Sequence, residues 1–131
     1  MKVIHLETKS RVEFIDITAH VERVVAEGQV DSGLSVVYVS HTTAAVTVNE
    51  NADPSVPLDI VRKLEDIIPL NDGYDHLEGN SAAHIKSTLV GCSEVVPIEN
   101  GRLYLGTWQA IFFCEFDGPR RRQFGVKVIS G

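Results

Sequence analysis

The feature that most restricts the fold is a strand-like segment, Trp108–Phe116, that is apolar in both of its alternating phases. Successive side chains of a β-strand point to opposite faces of a sheet. One face of this segment is apolar throughout, Trp108 included, and is expected to be core. The other face carries Ile111 and Phe113 between Gln109 and Glu115. Both faces need cover, and in so small a chain we expect an oligomer interface to cover the second face.

Further segments have the alternation and β-branched content of strands. They are Val3–Glu7, Val12–Ile17, Leu34–Ser40, Ala45–Glu50, Ser93–Ile98, Arg102–Leu105 and Phe124–Ile129. Asn100 and Gly101 predict a two-residue hairpin turn, because both central positions of that turn require positive φ. The sequence Asp117-Gly118-Pro119 predicts a second hairpin, which would join Trp108–Phe116 to the last strand.

Three helices are predicted from their end signals and apolar stripes. Thr18 is the expected cap of the first helix and Gly28 its end. Asp53 and Pro54 start the second, which closes at Pro69, and Asn80 caps a third that stops at Gly91. Together these elements predict an α+β fold: a mostly antiparallel, β-sandwich-like sheet with about three helices packed on it. Residues 1–131 are expected to form a single domain.

Charge and hydropathy argue against two classes of partner. The net charge is −6, whereas nucleic-acid binders gain affinity from basic surfaces, so we expect no nucleic acid. No apolar run approaches the roughly 20 residues that span a bilayer, and residues 1–10 lack the apolar core of a signal peptide. We therefore expect a cytoplasmic protein without membrane contact. Cys92 and Cys114 are interpreted as reduced core residues, since two cysteines make no disulfide framework.

Histidines stand in two of the three polar clusters that interrupt the apolar strands. His41 follows the strand that ends at Ser40, and His76 and His84 flank the start of the third helix. Neutral imidazole binds divalent transition metals. The spacing of these three residues matches no standard zinc signature. The alternative is three unrelated histidines in loops and caps that never meet.

Two carboxylates end strands and are candidate catalytic groups. Glu50 and Glu115 can hold a metal ion or act as general acid or base, although a lone glutamate at a strand end is more often solvated. Glu115 shares its face with Ile111 and Phe113, so a buried carboxylate there needs a partner. Arg120 or Arg122 is the expected partner.

Phosphate-binding candidates come from the same clusters. The guanidinium groups of Arg120 and Arg122 match phosphate oxygens, whereas Arg121 alternates to the opposite face and is expected in solvent. The alternative is that residues 120–122 form an exposed hairpin tip. Further candidates are the backbone amides after Asn80, the ammonium of Lys86, and the hydroxyls of Thr42 and Thr43.

The clusters resemble the secondary thiamine-phosphate synthase family, the YjbQ-type proteins. The similar text is SHTTAAVTVNEN at 40–51, HLEGNSAAHIKS at 76–87 and LGTWQAIFFCEFDGPRRR at 105–122. This resemblance covers nearly the whole chain from about residue 34 onward. It implies a compact β-sandwich-like α+β fold assembled as a homotrimer, with a polar pocket at or near the subunit interface. It also implies a bound metal near His41, His76 and His84, with His41 either as a ligand or as a contact to substrate.

The activity that the resemblance implies is the joining of a pyrimidine diphosphate to a thiazole phosphate, giving thiamine phosphate and diphosphate. The expected cofactor is a divalent metal, zinc or another transition metal, with magnesium as an alternative that accompanies diphosphate. Two alternatives share these residues. One is a metal-dependent phosphohydrolase, and the other is a non-catalytic trimeric module that binds a metal or a phosphorylated metabolite.

Overall fold

The structure is a computed structural model that describes all 131 residues. The chain forms eight strands and three helices. The strands are β1 Lys2–Glu7, β2 Glu13–Asp16, β3 Gly33–Tyr38, β4 Ala44–Glu50, β5 Ser93–Glu99, β6 Arg102–Leu103, β7 Gln109–Glu115 and β8 Arg121–Ser130. The helices are α1 Thr18–Gly28, α2 Ser55–Ile67 and α3 Ser81–Val90. The predicted α+β class and the three predicted helices are confirmed.

The strands form two antiparallel sheets. The larger has the order β1-β8-β3-β5-β6 and the smaller the order β2-β7-β4. In the smaller sheet, Ala44 of β4 is paired with Glu115 of β7, and Glu50 is paired with Gln109 at the opposite end. None of the three helices combines the length and the apolarity required to cross a membrane.

Strand β7 is buried on both faces within one chain. Ile111 and Phe113 belong to the main core, which also includes α1 residues and residues of both sheets. Phe112 and Cys114 pack in a second cluster with Ala83 of α3. The expectation that an oligomer interface covers the second face of this segment is therefore wrong, because the chain itself supplies both covers. Trp108 precedes the strand and is 62% exposed rather than buried.

The two predicted hairpins have different outcomes. Asn100 and Gly101 have φ values of 54° and 76°, which confirms the first turn, between β5 and β6. The segment Asp117-Gly118-Pro119 is not a hairpin turn. It carries the chain from β7 in the smaller sheet to β8 in the larger sheet, where β8 pairs with β1 and β3. Alternation in sequence indicated two strands but did not reveal that they belong to different sheets.

The helix starts also depart from simple capping. Thr18 is the first residue of α1, and its Oγ1 accepts a 2.9 Å hydrogen bond from the Ile111 amide instead of capping the helix. Asn80 stands at the N-cap position of α3, but its side chain makes no capping bond. Asp53 does accept the Ser55 N–H at 2.9 Å, as expected for a residue that starts α2.

One face of the larger sheet remains uncovered in the single chain. Its apolar side chains are exposed to between 39% and 54%: Val3 of β1, Leu34 and Tyr38 of β3, Val95 of β5 and Ile129 of β8. Register places Tyr38 beside Ser93, and Leu34 beside Ile129, across neighbouring strands. We call these five residues the open face.

Candidate functional site

Two of the predicted metal ligands meet at the start of α3. The rings of His76, from the loop before the helix, and His84, from its first turns, have centroids 5.4 Å apart and planes at 88°. Neither imidazole makes a hydrogen bond, and the one carboxylate within 4 Å of them is that of Glu78, whose Oε2 is 3.9 Å from His76 Nε2. Their nitrogens are therefore available to a ligand.

His84 joins two adjoining depressions that we call the histidine cleft. One has a volume of about 390 Å³ and is lined by Tyr74, Asp75, His76, Ser81, His84 and Ile85. The other, of about 370 Å³, is lined by His41, Thr42, Ala44, His84, Ser87, Thr88, Gly91 and Cys92. His84 thus borders both depressions, with His76 in the first and His41 in the second, and the direct ring contact is between His76 and His84.

His41 is held in place by the neighbouring strand β8. Its Nε2 is 3.1 Å from both the amide nitrogen and the carbonyl oxygen of Gln123, so one tautomer accepts a hydrogen bond and the other donates one. When Nε2 donates to the carbonyl, Nδ1 keeps a free lone pair, which is the usual arrangement of a histidine that ligates a metal. Burial and the nearby positive charge of Arg122 hold the pKa of His41 below its usual value, which favours the neutral ring.

A buried network of charged and polar groups lies next to this surface. Arg122 donates from Nε to Glu115 Oε1 at 2.9 Å and from Nη2 to Oε2 at 2.5 Å. The same Nη2 donates to Thr43 Oγ1 at 2.8 Å, while Thr8 Oγ1 donates to Glu115 Oε1 at 2.7 Å. All four residues are 5% exposed or less. We call them the charged core.

The charged core confirms the predicted pairing of Glu115 with an arginine and identifies that arginine as Arg122. Burial by itself would raise the pKa of Glu115, but hydrogen bonds from Arg122, Thr8 and the Asp117 amide hold it below its usual value. The carboxylate therefore stays ionised at neutral pH. By binding Thr43, the guanidinium also anchors the segment that carries His41 and Thr42.

Arg120 lies in the segment before β8 and faces a different partner. Its Nε donates to the Asp117 carbonyl at 2.9 Å and its Nη2 to Asp117 Oδ2 at 3.0 Å. Asn80 Nδ2 donates to the same carboxylate oxygen at 2.9 Å. Asp117 therefore links Arg120 to the N-terminus of α3, so two of the predicted phosphate-binding residues are brought together.

Lys86 is fully buried and forms an ion pair with Glu65 of α2. Arg11 binds the other carboxylate oxygen of Glu65. Burial and this pairing place the Lys86 ammonium between α2 and α3, away from solvent. The geometry gives Lys86 a role in helix packing and offers no contact with the histidine cleft, in contrast to the phosphate contact expected from sequence.

Glu50 lies at the opposite end of the smaller sheet from the charged core. It lies six positions along β4 from Ala44, which is paired with Glu115. At about 3.3 Å per residue, that distance is roughly 20 Å. A single chain therefore does not bring the two predicted catalytic glutamates together.

Sequence reasoning missed several residues that shape the site. Cys92 was expected in the core, but it is exposed and lines the cleft, whereas Cys114 is buried and burial raises its pKa. Ser87 also lines the cleft, and its buried hydroxyl has no partner. Thr8 donates a hydrogen bond to Glu115 of the buried pair with Arg122, and Glu65 is the ion-pair partner of the buried Lys86. Nothing in the sequence marks these four, because each acquires its role only through a tertiary contact.

The histidine pair is the part of the cleft suited to a metal. His76 and His84 are adjacent and free of competing hydrogen bonds, and His41 can offer Nδ1 from the same surface. No three His, Cys, Asp or Glu side chains are close enough in this arrangement to surround an ion together. A bound ion would thus require side-chain adjustment, a further protein group or substrate oxygens to complete its coordination.

Comparison with known proteins identifies the family. Residues 2–131 match the family described as UPF0047 protein YjbQ-like. The UPF0047 protein MJ1081 of Methanocaldococcus jannaschii is 56% identical over 125 residues, which cover 95% of this chain and 91% of that protein. The UPF0047 protein YugU of Bacillus subtilis is 49% identical over 131 residues, 99% of each chain.

Solved structures share the fold. A crystal structure of a conserved YjbQ/UPF0047 family protein from Clostridium acetobutylicum superposes with a TM-score of 0.97 at 50% identity, covering 98% of this chain and 100% of that chain. A hypothetical protein from Aeropyrum pernix gives a TM-score of 0.94 at 39% identity, covering 99% and 98%. These matches confirm the YjbQ part of the resemblance. Their names specify no reaction, so thiamine phosphate synthesis stays a prediction.

Proposed function

The chain belongs to the UPF0047 YjbQ-like protein family, and we propose that it is a metal-assisted enzyme acting on phosphorylated small molecules. The specific reaction we propose is the coupling of a pyrimidine diphosphate with a thiazole phosphate, with release of diphosphate. The observation that carries the proposal is the contact of the His76 and His84 rings, whose centroids are 5.4 Å apart, with His84 also lining the depression that contains His41.

In this proposal, His76 and His84 hold a divalent metal, zinc or another transition metal, and His41 is either a third ligand or a substrate contact. The metal would supply stabilisation of the negative charge that develops on a leaving diphosphate. His41 is suited to either role because Gln123 fixes its ring and its depressed pKa keeps it neutral. Magnesium is the alternative ion, brought with the diphosphate.

Phosphate recognition is assigned to the start of α3. The Asn80 side chain is bound to Asp117 and does not cap the helix, which leaves the first backbone N–H groups free for an anion. Arg120 is held at the same place through Asp117, and the exposed Thr42 hydroxyl faces the cleft. Glu115, Arg122 and Thr43 support the proposal differently, by fixing the segment that carries His41.

The proposed assembly is a homotrimer in the cytoplasm, as the family resemblance implies. The open face supports self-association, since five exposed apolar side chains on one sheet face are unusual for a monomer. Its Tyr38 end is close in sequence to His41, and Ser93 beside Tyr38 follows Cys92 of the cleft. A neighbouring subunit on this face would border the cleft.

The proposal is tested by metal content followed by turnover. We expect the purified protein to retain a divalent transition metal, and the double variant His76→Ala, His84→Ala to lose most of it, because too few ligands remain. His20→Ala is the matched control, since His20 packs against Phe124 outside the cleft. Elemental analysis by mass spectrometry measures both. Full occupancy in the double variant would refute the ligand assignment.

The products formed then distinguish the proposed coupling reaction from the alternative functions. Incubation of the metal-loaded protein with pyrimidine diphosphate and thiazole phosphate should give thiamine phosphate and diphosphate, detected by chromatography and mass spectrometry. Release of inorganic phosphate without coupling would instead indicate a phosphohydrolase. Stoichiometric binding with no turnover would indicate a trimeric binding module.

A further inference from the structure

The end of the smaller sheet opposite the charged core carries polar and aromatic groups that the proposed function leaves unused. Glu50 ends β4 and is paired with Gln109, and the Asn51 amide donates to the Trp108 carbonyl at 3.2 Å. We call these four residues the Glu50 end. The Trp108 side chain is 62% exposed, and the Glu50 carboxylate forms no hydrogen bond or ion pair within the chain. This carboxylate is therefore available to a group from outside the chain.

Hydrogen bonds hold the backbone of the Glu50 end in place. Asn51 Nδ2 donates to Asp16 Oδ2 at 2.6 Å, and Asp16 Oδ1 accepts the Thr18 amide at 2.9 Å where α1 begins. Gln109 Oε1 accepts the Gly106 amide at 2.8 Å. A carboxylate presented by backbone that is already fixed loses less entropy on binding than one carried by a mobile loop.

Within one chain, the Glu50 end lies far from the histidine cleft. Ala44 lines the cleft, and Glu50 lies six positions further along β4, a distance of roughly 20 Å. The pair of His76 and His84 has one carboxylate within 4 Å, that of Glu78, and a bound ion there needs a further protein group or substrate oxygens. If Glu50 supplies that group, it does so from another subunit.

A cyclic trimer provides such a contact, because each of its interfaces joins two different surfaces of neighbouring subunits. One of these surfaces is the open face, whose Tyr38 end borders the cleft. The Glu50 end has the properties required of the other surface. Its exposed Trp108 is of a residue type that often dominates interface energies, and the negative charge of Glu50 complements a divalent cation held by imidazoles.

We propose that Glu50 of one subunit completes the metal site formed by His76 and His84 of its neighbour, with Trp108 packed at the border between them. The shared site rests on the metal site and the trimer of the proposed function. Two imidazoles and one carboxylate are a known zinc ligand set, which leaves a coordination position open to substrate. In such a site, His41 contacts substrate and is not the third ligand. The motif at 40–51 thus contributes to two sites, His41 to one and Glu50 to the next.

The test is the zinc content of hybrid trimers assembled from two complementary variants that carry different affinity tags. One variant is Glu50→Gln, and the other is His76→Ala, His84→Ala. Every trimer retained by both tags contains both variants, so a single interface in it joins intact histidines to an intact Glu50. We expect about one zinc ion per hybrid trimer, and far less in either parent, where every interface lacks one partner.

Glu50→Gln alone should weaken the Kd for zinc by at least about tenfold, a loss that even the outer partners of metal ligands produce. Its metal-free form should be as stable as the wild type, so the loss is not caused by unfolding. Glu27→Gln is the matched control, because Glu27 is an exposed carboxylate on α1 that forms no ion pair, and it should bind zinc as the wild type does.

A wild-type trimer that holds zinc, together with hybrids that hold no more than their parents, would overturn the shared site and leave the proposed function standing. Loss of zinc in Glu78→Gln but not in Glu50→Gln would have the same meaning, because the carboxylate ligand would then come from the same chain as the histidines. A wild-type protein that is monomeric or binds no zinc would overturn the proposed function and the shared site together.

Discussion

At the scale of single residues, the charged core shows how a buried ion pair replaces a catalytic role suggested by sequence. Glu115 is fully buried, and both of its oxygens accept hydrogen bonds from protein donors. A buried pair gives little net stability compared with apolar packing, but removing one partner leaves an uncompensated charge. The pair links β7 of one sheet to β8 of the other and anchors Thr43. It therefore fixes the position of the two strands and of the segment before β4, instead of adding net stability.

The first residue-scale prediction concerns Glu115→Gln. At neutral pH, we expect this variant to lose about 3–5 kcal/mol of unfolding free energy, because Arg122 is left without a counter-charge. The pKa of Glu115 is lower in the folded protein than its ordinary value of 4.5. The stability that the ionised carboxylate contributes is therefore fully present above pH 4.5, and it is lost as the pH falls from 4.5 toward the lower pKa of the folded state. The difference in unfolding free energy between wild type and variant, measured by urea denaturation, should therefore become smaller below about pH 4.5.

Glu50→Gln is the control for this series. Glu50 also ends a strand, but its side chain forms no ion pair or hydrogen bond, so the change should cost no more than about 0.5 kcal/mol of unfolding free energy. A pH-independent gap between wild type and Glu115→Gln would show that the depressed pKa is not the source of the stabilisation.

At the scale of elements, the outer face of the smaller sheet is covered by α2 and α3, with Leu64 and Ala83 packed on β7. The two helices are also joined by the ion pair of Glu65 and Lys86, to which Arg11 adds a contact from the loop between β1 and β2. Since α3 carries His84 and the loop before it carries His76, this helix pair positions the half of the cleft that is the proposed metal site.

The element-scale prediction is that Glu65→Ala destabilises the protein by about 3–5 kcal/mol, because Lys86 is fully buried and would lose its only partner. Asp66→Ala tests the neighbouring residue, which forms an exposed 3.4 Å pair with Arg62. That change should cost less than about 0.5 kcal/mol. Thermal and urea unfolding measure both variants, and similar losses would contradict the assigned role of Lys86.

At the scale of the whole molecule, the two sheets differ in how they are covered. The smaller sheet has the main core on one face and α2 and α3 on the other. The larger sheet has the core on one face and only solvent on the open face. Because of this difference, the subunit contact is now expected on the open face, formed by strands β1, β3, β5 and β8, instead of on β7.

The prediction at this scale is that light scattering at micromolar concentration gives a stable trimer, and that Tyr38→Asp with Val95→Asp shifts it toward monomer. Charges placed at the centre of an apolar interface must be desolvated without a partner, which disfavours association. Leu58→Asp, on the exposed side of α2, is the control and should leave the trimer intact. If the wild-type protein is a monomer, the proposed trimer is wrong, and no neighbouring subunit borders the histidine cleft.

Local pattern determined most of the elements in this protein. Alternation and end signals gave the strands, the three helices and the Asn100-Gly101 turn, because these depend on neighbours within a few residues. Alternation also predicted that Arg121 and Arg122 lie on opposite faces, and Arg122 is buried with Phe124 and Val126 whereas Arg121 is exposed. The family motifs indicated that His76 and His84 lie close together, which no spacing rule would have done.

Only the tertiary structure decided which elements and side chains meet. The split of β7 and β8 between two sheets, the burial of Lys86 against Glu65, and the roughly 20 Å between Glu50 and Glu115 all depend on contacts between residues distant in sequence. Alternation fixes the face on which a side chain lies but leaves open what covers that face. For this reason Cys92 was expected in the core but lines the cleft. Likewise, no sequence pattern indicated that Thr8, just after β1, hydrogen-bonds Glu115 in the charged core.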